Sequence, residues 1–473
     1  MKYALGFEDL ESEVSHVPLK LISGQVPAWL KGRLLRNGPG KFTLGKERFN
    51  HWFDGLAMLH GFYFDNGGVI YSNSLIKSRA YTEGQAQQRI CYPSFATVPN
   101  YSFFQSIIHW FKAPESGHNT GVSVARLGGD FLALTESAAI IAFDEQSLAT
   151  NEVIELKNEV SGELTSAHPH YDFDNRYFVN FTVKLGRHSE YRYYRSDNDI
   201  RQRRLIGRIP VDRPSYTHSF AMSQRYIIHV DFPLVAHPLR LRFGNVPYIK
   251  CYRWKPERGT RFTVLDKASG EIKKQYTTHA CFAFHHVNTY EVGDDIVVDM
   301  AAKPDASLID ELYLDHLRAC QGRPISQPST LQRFVLPLRA SELTLENISE
   351  EYLELPTINY RARNAHAYRY AYGIGSYKDR RDDFENQLIK IDAHNGRCAI
   401  WYEEGCYPGE PVFAQHPRES GEDSGVLLSV VLDSKQDKSY LLILNAADLQ
   451  ELARLELPHR SPFGFHGQFF PTQ

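Results

Sequence analysis

Twenty histidines are spread along this chain of 473 residues, and four stand in apolar or turn contexts that can aim an imidazole inward. They are His168 in Thr165-Ser166-Ala167-His168-Pro169-His170, His218 in Tyr216-Thr217-His218-Ser219-Phe220, His285 in Phe284-His285-His286-Val287-Asn288, and His466 in Phe463-Gly464-Phe465-His466-Gly467. Four neutral imidazoles without a thiolate suit iron, copper, nickel or zinc, and open positions beyond them suit Fe(II) oxygen chemistry. Metal-bound histidines usually have their second ring nitrogen fixed by a carboxylate or carbonyl. Glu136, Glu354 and Glu410 each sit among core-type residues, where a carboxylate needs a partner to offset its burial. A lone histidine on an apolar strand is more often a hydrogen-bonded core residue, so the metal reading rests on the whole set.

Bringing residues so far apart in sequence to one point requires a ring-shaped fold. Short β-rich runs alternate with turn signals from Gly32 onward, and Asn66-Gly67 between two such runs is a strong hairpin signal. An apolar residue followed by Asp or Asn leads a turn at Phe143-Asp144, Leu265-Asp266, Ile391-Asp392 and Leu444-Asn445. Hairpin tips recurring around a ring of similar sheets would give this echo, the signature of a β-propeller. Coincidental use of turn-forming residues would give it too. Phe284 to Glu291 reads as a buried strand, in which only one of His285 and His286 can face a given pocket. Asn37 to Phe42 lacks Walker spacing and reads as a tight turn, and the Tyr- and Arg-rich run from 191 to 204 reads as a solvated, partly flexible excursion.

Composition narrows the function classes. Hydrophobic content of 42% supports a sizeable core, and 13% aromatics suit a β-rich protein or an apolar ligand. A net charge of −3 with interspersed signs leaves no footprint for nucleic acid. Six scattered cysteines and an acidic N-terminus without an apolar core predict a cytoplasmic setting. No run reaches the roughly 18 to 20 apolar residues of a spanning helix. The uncharged segment 98–111 and the apolar, twice-cationic segment 232–243 read either as core-packed pieces or as two halves of a peripheral membrane patch.

His51-Trp52-Phe53-Asp54-Gly55, Ala167-His168-Pro169-His170, His218-Ser219-Phe220, Phe284-His285-His286-Val287-Asn288, Gly409-Glu410-Pro411-Val412-Phe413 and Phe465-His466-Gly467 occur in that order. Together they resemble the hallmark blocks of the carotenoid cleavage oxygenases, a likeness that runs from about Pro27 to the C-terminus. The resemblance implies an all-β, seven-bladed β-propeller spanning residues 1–473 as a single domain. Excursions near 90–118 and 186–245 would form a cap of loops and short helices and the membrane patch. It implies one Fe(II) per chain held by His168, His218, His285 and His466. Glu136, Glu354 and Glu410 would orient His218, His285 and His466 respectively, leaving His168 without a carboxylate and His51 in a structural role.

The implied activity is oxidative scission by O2 of one double bond of a carotenoid or apocarotenoid into two carbonyl products. Val122 resembles the family position that crowds the sixth coordination site. Thr135 stands where stilbene cleavers carry a lysine, which argues against that branch. The proline-aspartate-proline-cysteine-lysine segment of the retinoid isomerohydrolase is not reproduced around Val98 to Tyr101, so the oxygenase reading is preferred to that alternative. A catalytically silent propeller serving as an interaction scaffold is the non-enzyme alternative. The partners expected are a lipophilic polyene and O2, with no protein partner.

Overall fold

The computed structural model describes residues 3–100, 115–155, 159–243, 246–319, 328–380 and 383–472. Seven antiparallel sheets form the blades of a β-propeller. Blade one consists of Gly32–Lys41, Leu56–Asp65 and Gly68–Leu75, edged outside by Val17–Pro18 and completed inside by the C-terminal strand Gly467–Pro471. Blades two to six follow in chain order, beginning at Ser123, Leu164, Ala221, His286 and Glu354. Blade seven is built on Gly425–Asp433, Lys438–Asn445 and Glu451–Glu456, and takes Lys20–Gly24 as its outer strand. The ring is therefore closed by both ends of the chain, with Arg36 paired to Gly467 inside and Lys20 to Glu456 outside.

Both faces of each blade are buried, and side-chain alternation distributes successive residues between the two neighbouring interfaces. Leu34 packs between blades one and seven with Leu428 and Leu441, whereas Leu35 packs with Val124 and Ile141 against blade two. Ile227 faces blade three beside Phe181, and Ile228 faces blade five beside Val298 and Phe334. This is why the strands read as nearly continuous apolar runs. The run 191–204, expected to be a solvated excursion, is instead part of blade three, in Ser189–Ser196 and Arg204–Val211. Tyr191 and Tyr193 are fully buried against blade four, where their hydroxyls meet Asp231 and His229. Much of the expected 186–245 cap is thus blade, because the aromatic side chains there fill an interblade interface.

The echoed turns all lie between the third and fourth strands of a blade. Asp144 Oδ1 accepts from the N–H groups of Gln146 and Ser147, and Asp266 Oδ1 from those of Ala268 and Ser269. Asp392 and Asn445 likewise accept from His394 and Ala447. The repeat is thus an Asx-turn used at the same place in four blades. Asn66 and Gly67 have φ of 48° and 79°, which fits a type I′ hairpin. Asn37 to Lys41 forms no tight turn. It continues the inner part of blade one with a register shift at Pro39, and a Cβ on Gly38 would lie 2.5 Å from Gly464 Cα.

Three excursions gather over one end of the ring. They lie between blades one and two (Arg79–Gln87 with residues 88–100 and 115–122), inside blade four (Leu234–Ala236, Pro238–Phe243 and Tyr248–Cys251), and inside blade five (Leu308–Glu311 and Leu314–Ala319). The segment predicted at 98–111 falls, from residue 101 on, outside the described residues. Among the described residues no helix is long and apolar enough to cross a membrane.

Lys267 at a blade-four turn reaches Asp172 of blade three at 2.7 Å, with both side chains buried. Burial opposes ionisation of Asp172, but Lys267 and the Asn175 donors outweigh it and hold the carboxyl below its usual 3.8. Asp172→Asn is expected to cost about 3 kcal/mol, because it leaves a buried ammonium without its counter-charge. The depressed carboxyl contributes stability above its unfolded value of 3.8 and loses it as pH falls through the lower folded value. Acid titration of the melting temperature should therefore show a wild-type decline below about pH 4 that is shallower in the variant.

Candidate metal centre

Each of the four histidines stands immediately before, or within three residues of, a strand on the inner side of its blade. His168 precedes His170–Asp172, His218 precedes Ala221–Met222, His285 precedes His286–Val292, and His466 precedes Gly467–Pro471. Their ligand nitrogens all lie within 4.8 Å of one another. His168 Nε2 is 2.9 Å from His218 Nε2, and His285 Nε2 is 3.3 Å from His466 Nε2. Neighbouring donors around one ion at a metal–nitrogen distance of about 2.1 Å would be about 3 Å apart, so these spacings fit a shared metal.

For three of the four rings, the partner of the outer nitrogen leaves the lone pair on Nε2. His218 Nδ1 meets Glu136 Oε1 at 2.5 Å, His285 Nδ1 meets Glu354 Oε2 at 3.0 Å, and His466 Nδ1 meets Glu410 Oε1 at 2.7 Å. A carboxylate fixes the proton on Nδ1 and leaves Nε2 free to coordinate. Among the described residues no carboxylate is hydrogen-bonded to His168, whose backbone N–H donates to Ser166 Oγ. Burial, reinforced by the other three histidines, pushes His168 well below the usual imidazole value. Burial also lowers His285 to about 4, against the pull of Glu354. Both rings are therefore neutral near pH 7, the state that binds a cation.

The carboxylates have their own supports, which sequence reading did not identify. Tyr216 donates to both oxygens of Glu136, at 2.8 and 3.1 Å. Ser329 donates to Glu354 Oε1, and Lys303 Nζ lies 3.5 Å from the same oxygen. Burial opposes ionisation of Glu354, but Lys303, His285 and Ser329 prevail and hold its carboxyl at about 2. The Gly467 N–H donates to Glu410 Oε2, and Arg36 donates to the Glu410 carbonyl at 2.8 Å. Tyr216 lies two residues before His218, and both side chains meet Glu136. Lys303 is an unexpected cation immediately after the largely buried strand Asp295–Ala302.

His286 is directed elsewhere, its Nδ1 hydrogen-bonded to Ser219 Oγ at 2.8 Å between blades four and five. His51 is fully buried and caps Trp52–Asp54, with its Nε2 against the Ile309 carbonyl. The histidine cluster, through His218, His285 and His466, borders a cavity of about 460 Å³, within the usual range for a small-molecule site. Its wall is largely apolar and aromatic, including Trp52, Phe53, Phe95, Phe284 and Phe465, and it carries Val122 and Thr135. Val122 also accepts the His466 N–H on its carbonyl at 3.2 Å.

The family model described as retinal pigment epithelial membrane protein (RPE65) matches residues 7–471. A mitochondrial carotenoid-cleaving dioxygenase of Mustela putorius furo is 32% identical over 516 residues, covering 97% of this chain and 94% of the relative. The β,β-carotene 15,15′-dioxygenase of Mus musculus is 30% identical over 506 residues, covering 95% and 88%. A solved variant of the Synechocystis apocarotenoid oxygenase has the same fold, with a TM-score of 0.89 over 100% of this chain and 98% of that one, at 23% identity.

Proposed function

This chain belongs to the retinal pigment epithelial membrane protein family, and from that premise we propose that it is a dioxygenase cleaving a conjugated double bond of a carotenoid or apocarotenoid. The observation that carries this reading is the convergence of four imidazoles, three of them backed by carboxylates, at an apolar cavity. We assign His168, His218, His285 and His466 as ligands of one Fe(II), which when bound supplies the oxygen-activating chemistry. A donor set of four imidazoles without thiolate fits that ion and leaves positions open beyond the protein ligands.

The remaining work belongs to the chain itself. Glu136, Glu354 and Glu410 hold three rings in one tautomer and orientation. The aromatic wall excludes water and aligns a flat, apolar polyene by dispersion and ring contacts. Val122 and Thr135 border the space beside the histidines, where the branched Val122 side chain would narrow access to a bound metal. Burial lowers the affinity of His168 and His285 for protons, so that protons do not compete with a cation for these two rings at neutral pH. The two products are expected to be carbonyl compounds, one from each side of the cleaved bond.

Purified protein should contain about one iron per chain, and detergent-dispersed carotenoid or apocarotenal should yield aldehydes labelled from isotopic O2. Unlabelled alcohol from a retinyl ester would instead assign the isomerohydrolase branch. Retained structure and an unchanged melting curve after chelation, with no iron found, would support a silent scaffold.

Peripheral membrane contact in a cytoplasmic setting completes the proposal. Residues 232–236 are buried, so this half of the patch narrows to Pro238–Phe243, where Leu239 is 53% exposed beside exposed Arg240 and Arg242. Leu241 and Arg242 also border the cavity, giving a lipophilic substrate a short path from a membrane surface. Leu239→Asp should lower partitioning onto anionic liposomes, and unchanged partitioning would remove this contact from the reading.

A further inference from the structure

Besides the solvent-exposed Glu115, the cavity wall carries five acidic side chains, and four of them are committed to protein partners. Glu136 and Glu354 hold His218 and His285. Asp54 is taken by Ser94, Thr97 and the N–H groups of Ala96 and His51. Glu163 accepts the Leu185 N–H and pairs with Lys184. Glu385 is different. Among the described residues no hydrogen-bond donor reaches its carboxyl, and Glu354 and Lys303 influence it only through space.

The Glu385 backbone is nevertheless well anchored. The Phe384 ring stacks on Phe463 at 5.0 Å, the Tyr407 hydroxyl donates to Asp383, and the Asn386 N–H donates to the Gly375 carbonyl. A polar group held on an apolar wall without a partner is costly unless a ligand completes it. Burial, aided by Glu354 and opposed by Lys303, pushes the carboxyl up to about 8, so at neutral pH it can both donate and accept.

We propose that Glu385 is a specificity-determining residue that hydrogen-bonds an oxygen-bearing end of the polyene, the carbonyl of an apocarotenal or the hydroxyl of a ring-hydroxylated carotenoid. The polyene part of this inference rests on the cleavage function above. The preference for an oxygenated end rests on Glu385 alone. A hydrocarbon end leaves the carboxyl unpaired in the complex, so discrimination follows from what that substrate fails to satisfy.

The test compares wild type, Glu385→Gln and Glu385→Leu on a matched pair, an oxygenated polyene and its hydrocarbon counterpart. Glu385→Leu should lower kcat/KM for the oxygenated substrate by about 10- to 100-fold, chiefly through KM, and leave the hydrocarbon unchanged or improved. Glu385→Gln, which keeps a donor and an acceptor, should stay within a few fold of wild type. An equal fall for both substrates, or no fall for the oxygenated one, overturns the proposal. Quenching of tryptophan fluorescence on binding each polyene reads the same preference without turnover. If neither polyene is cleaved but the oxygenated one binds more tightly and loses that advantage in Glu385→Leu, the cleavage reading fails and Glu385 keeps its role. Equal binding of the pair, or binding of neither, overturns the role of Glu385.

Discussion

His285→Ala is expected to strip the metal and abolish cleavage, while His286→Ala keeps both the metal and most of the activity. The two rings are neighbours in sequence, yet the pleat sends them to different places. His285 enters the cluster, 3.3 Å from His466 and backed by Glu354. His286 turns to Ser219 between blades, and its buried Nε2 has no partner among the described residues. Loss of a ligand should weaken metal binding by more than the roughly 10- to 100-fold that loss of a supporting carboxylate costs. Truncating His286 removes one hydrogen bond and leaves a small void, a stability cost of about 1 to 3 kcal/mol with little effect on metal content. Metal analysis of the two purified variants, with circular dichroism to verify folding, decides the matter. The opposite pattern would mean that the ligand register is off by one residue.

Glu354→Ala should be the most damaging change outside the four histidines, because this carboxylate serves two buried cations or donors at once. Its Oε2 orients His285, and its Oε1 lies 3.5 Å from the ammonium of Lys303, whose side chain is 1% exposed and is paired with this carboxylate. Removing it strands a buried ammonium, at a cost of about 3 to 5 kcal/mol. It also frees the His285 ring to rotate, at a cost of about 10- to 100-fold in metal affinity. The two effects can be separated. Glu354→Gln combined with Lys303→Met should recover much of the thermal stability while leaving metal affinity impaired, since the neutral pair no longer buries a lone charge. Thermal unfolding and metal titration on the three proteins test this. Full recovery of metal affinity in the double variant would show that Glu354 acts on the site only through folding.

The histidine blocks, the carboxylates in apolar surroundings and the Asx-turn echo were all legible in the chain, because each depends on local chemistry. A metal ligand needs an imidazole, a buried carboxylate needs a partner, and a hairpin tip needs a side chain that can accept from the backbone two residues on. The Tyr191 and Tyr193 segment was misread for the complementary reason. Tyrosine and arginine alternating along a strand look solvated until a neighbouring blade covers the aromatic face. Asn37 to Lys41 was misread because its glycines signal a turn locally, whereas they are needed here for the close approach of Gly464.

By itself, then, the sequence determined the donor types, the strand-rich ring and the family blocks, since these follow from composition and short-range pattern. Only the tertiary structure decided which atoms meet. That Glu354 faces His285 and Lys303 together, that Tyr216 supports Glu136, and that Glu385 reaches the cavity without a partner are consequences of how seven blades pack side by side. Such contacts join residues tens to hundreds of positions apart. Their separation in the chain carries no information about their distance in the ring.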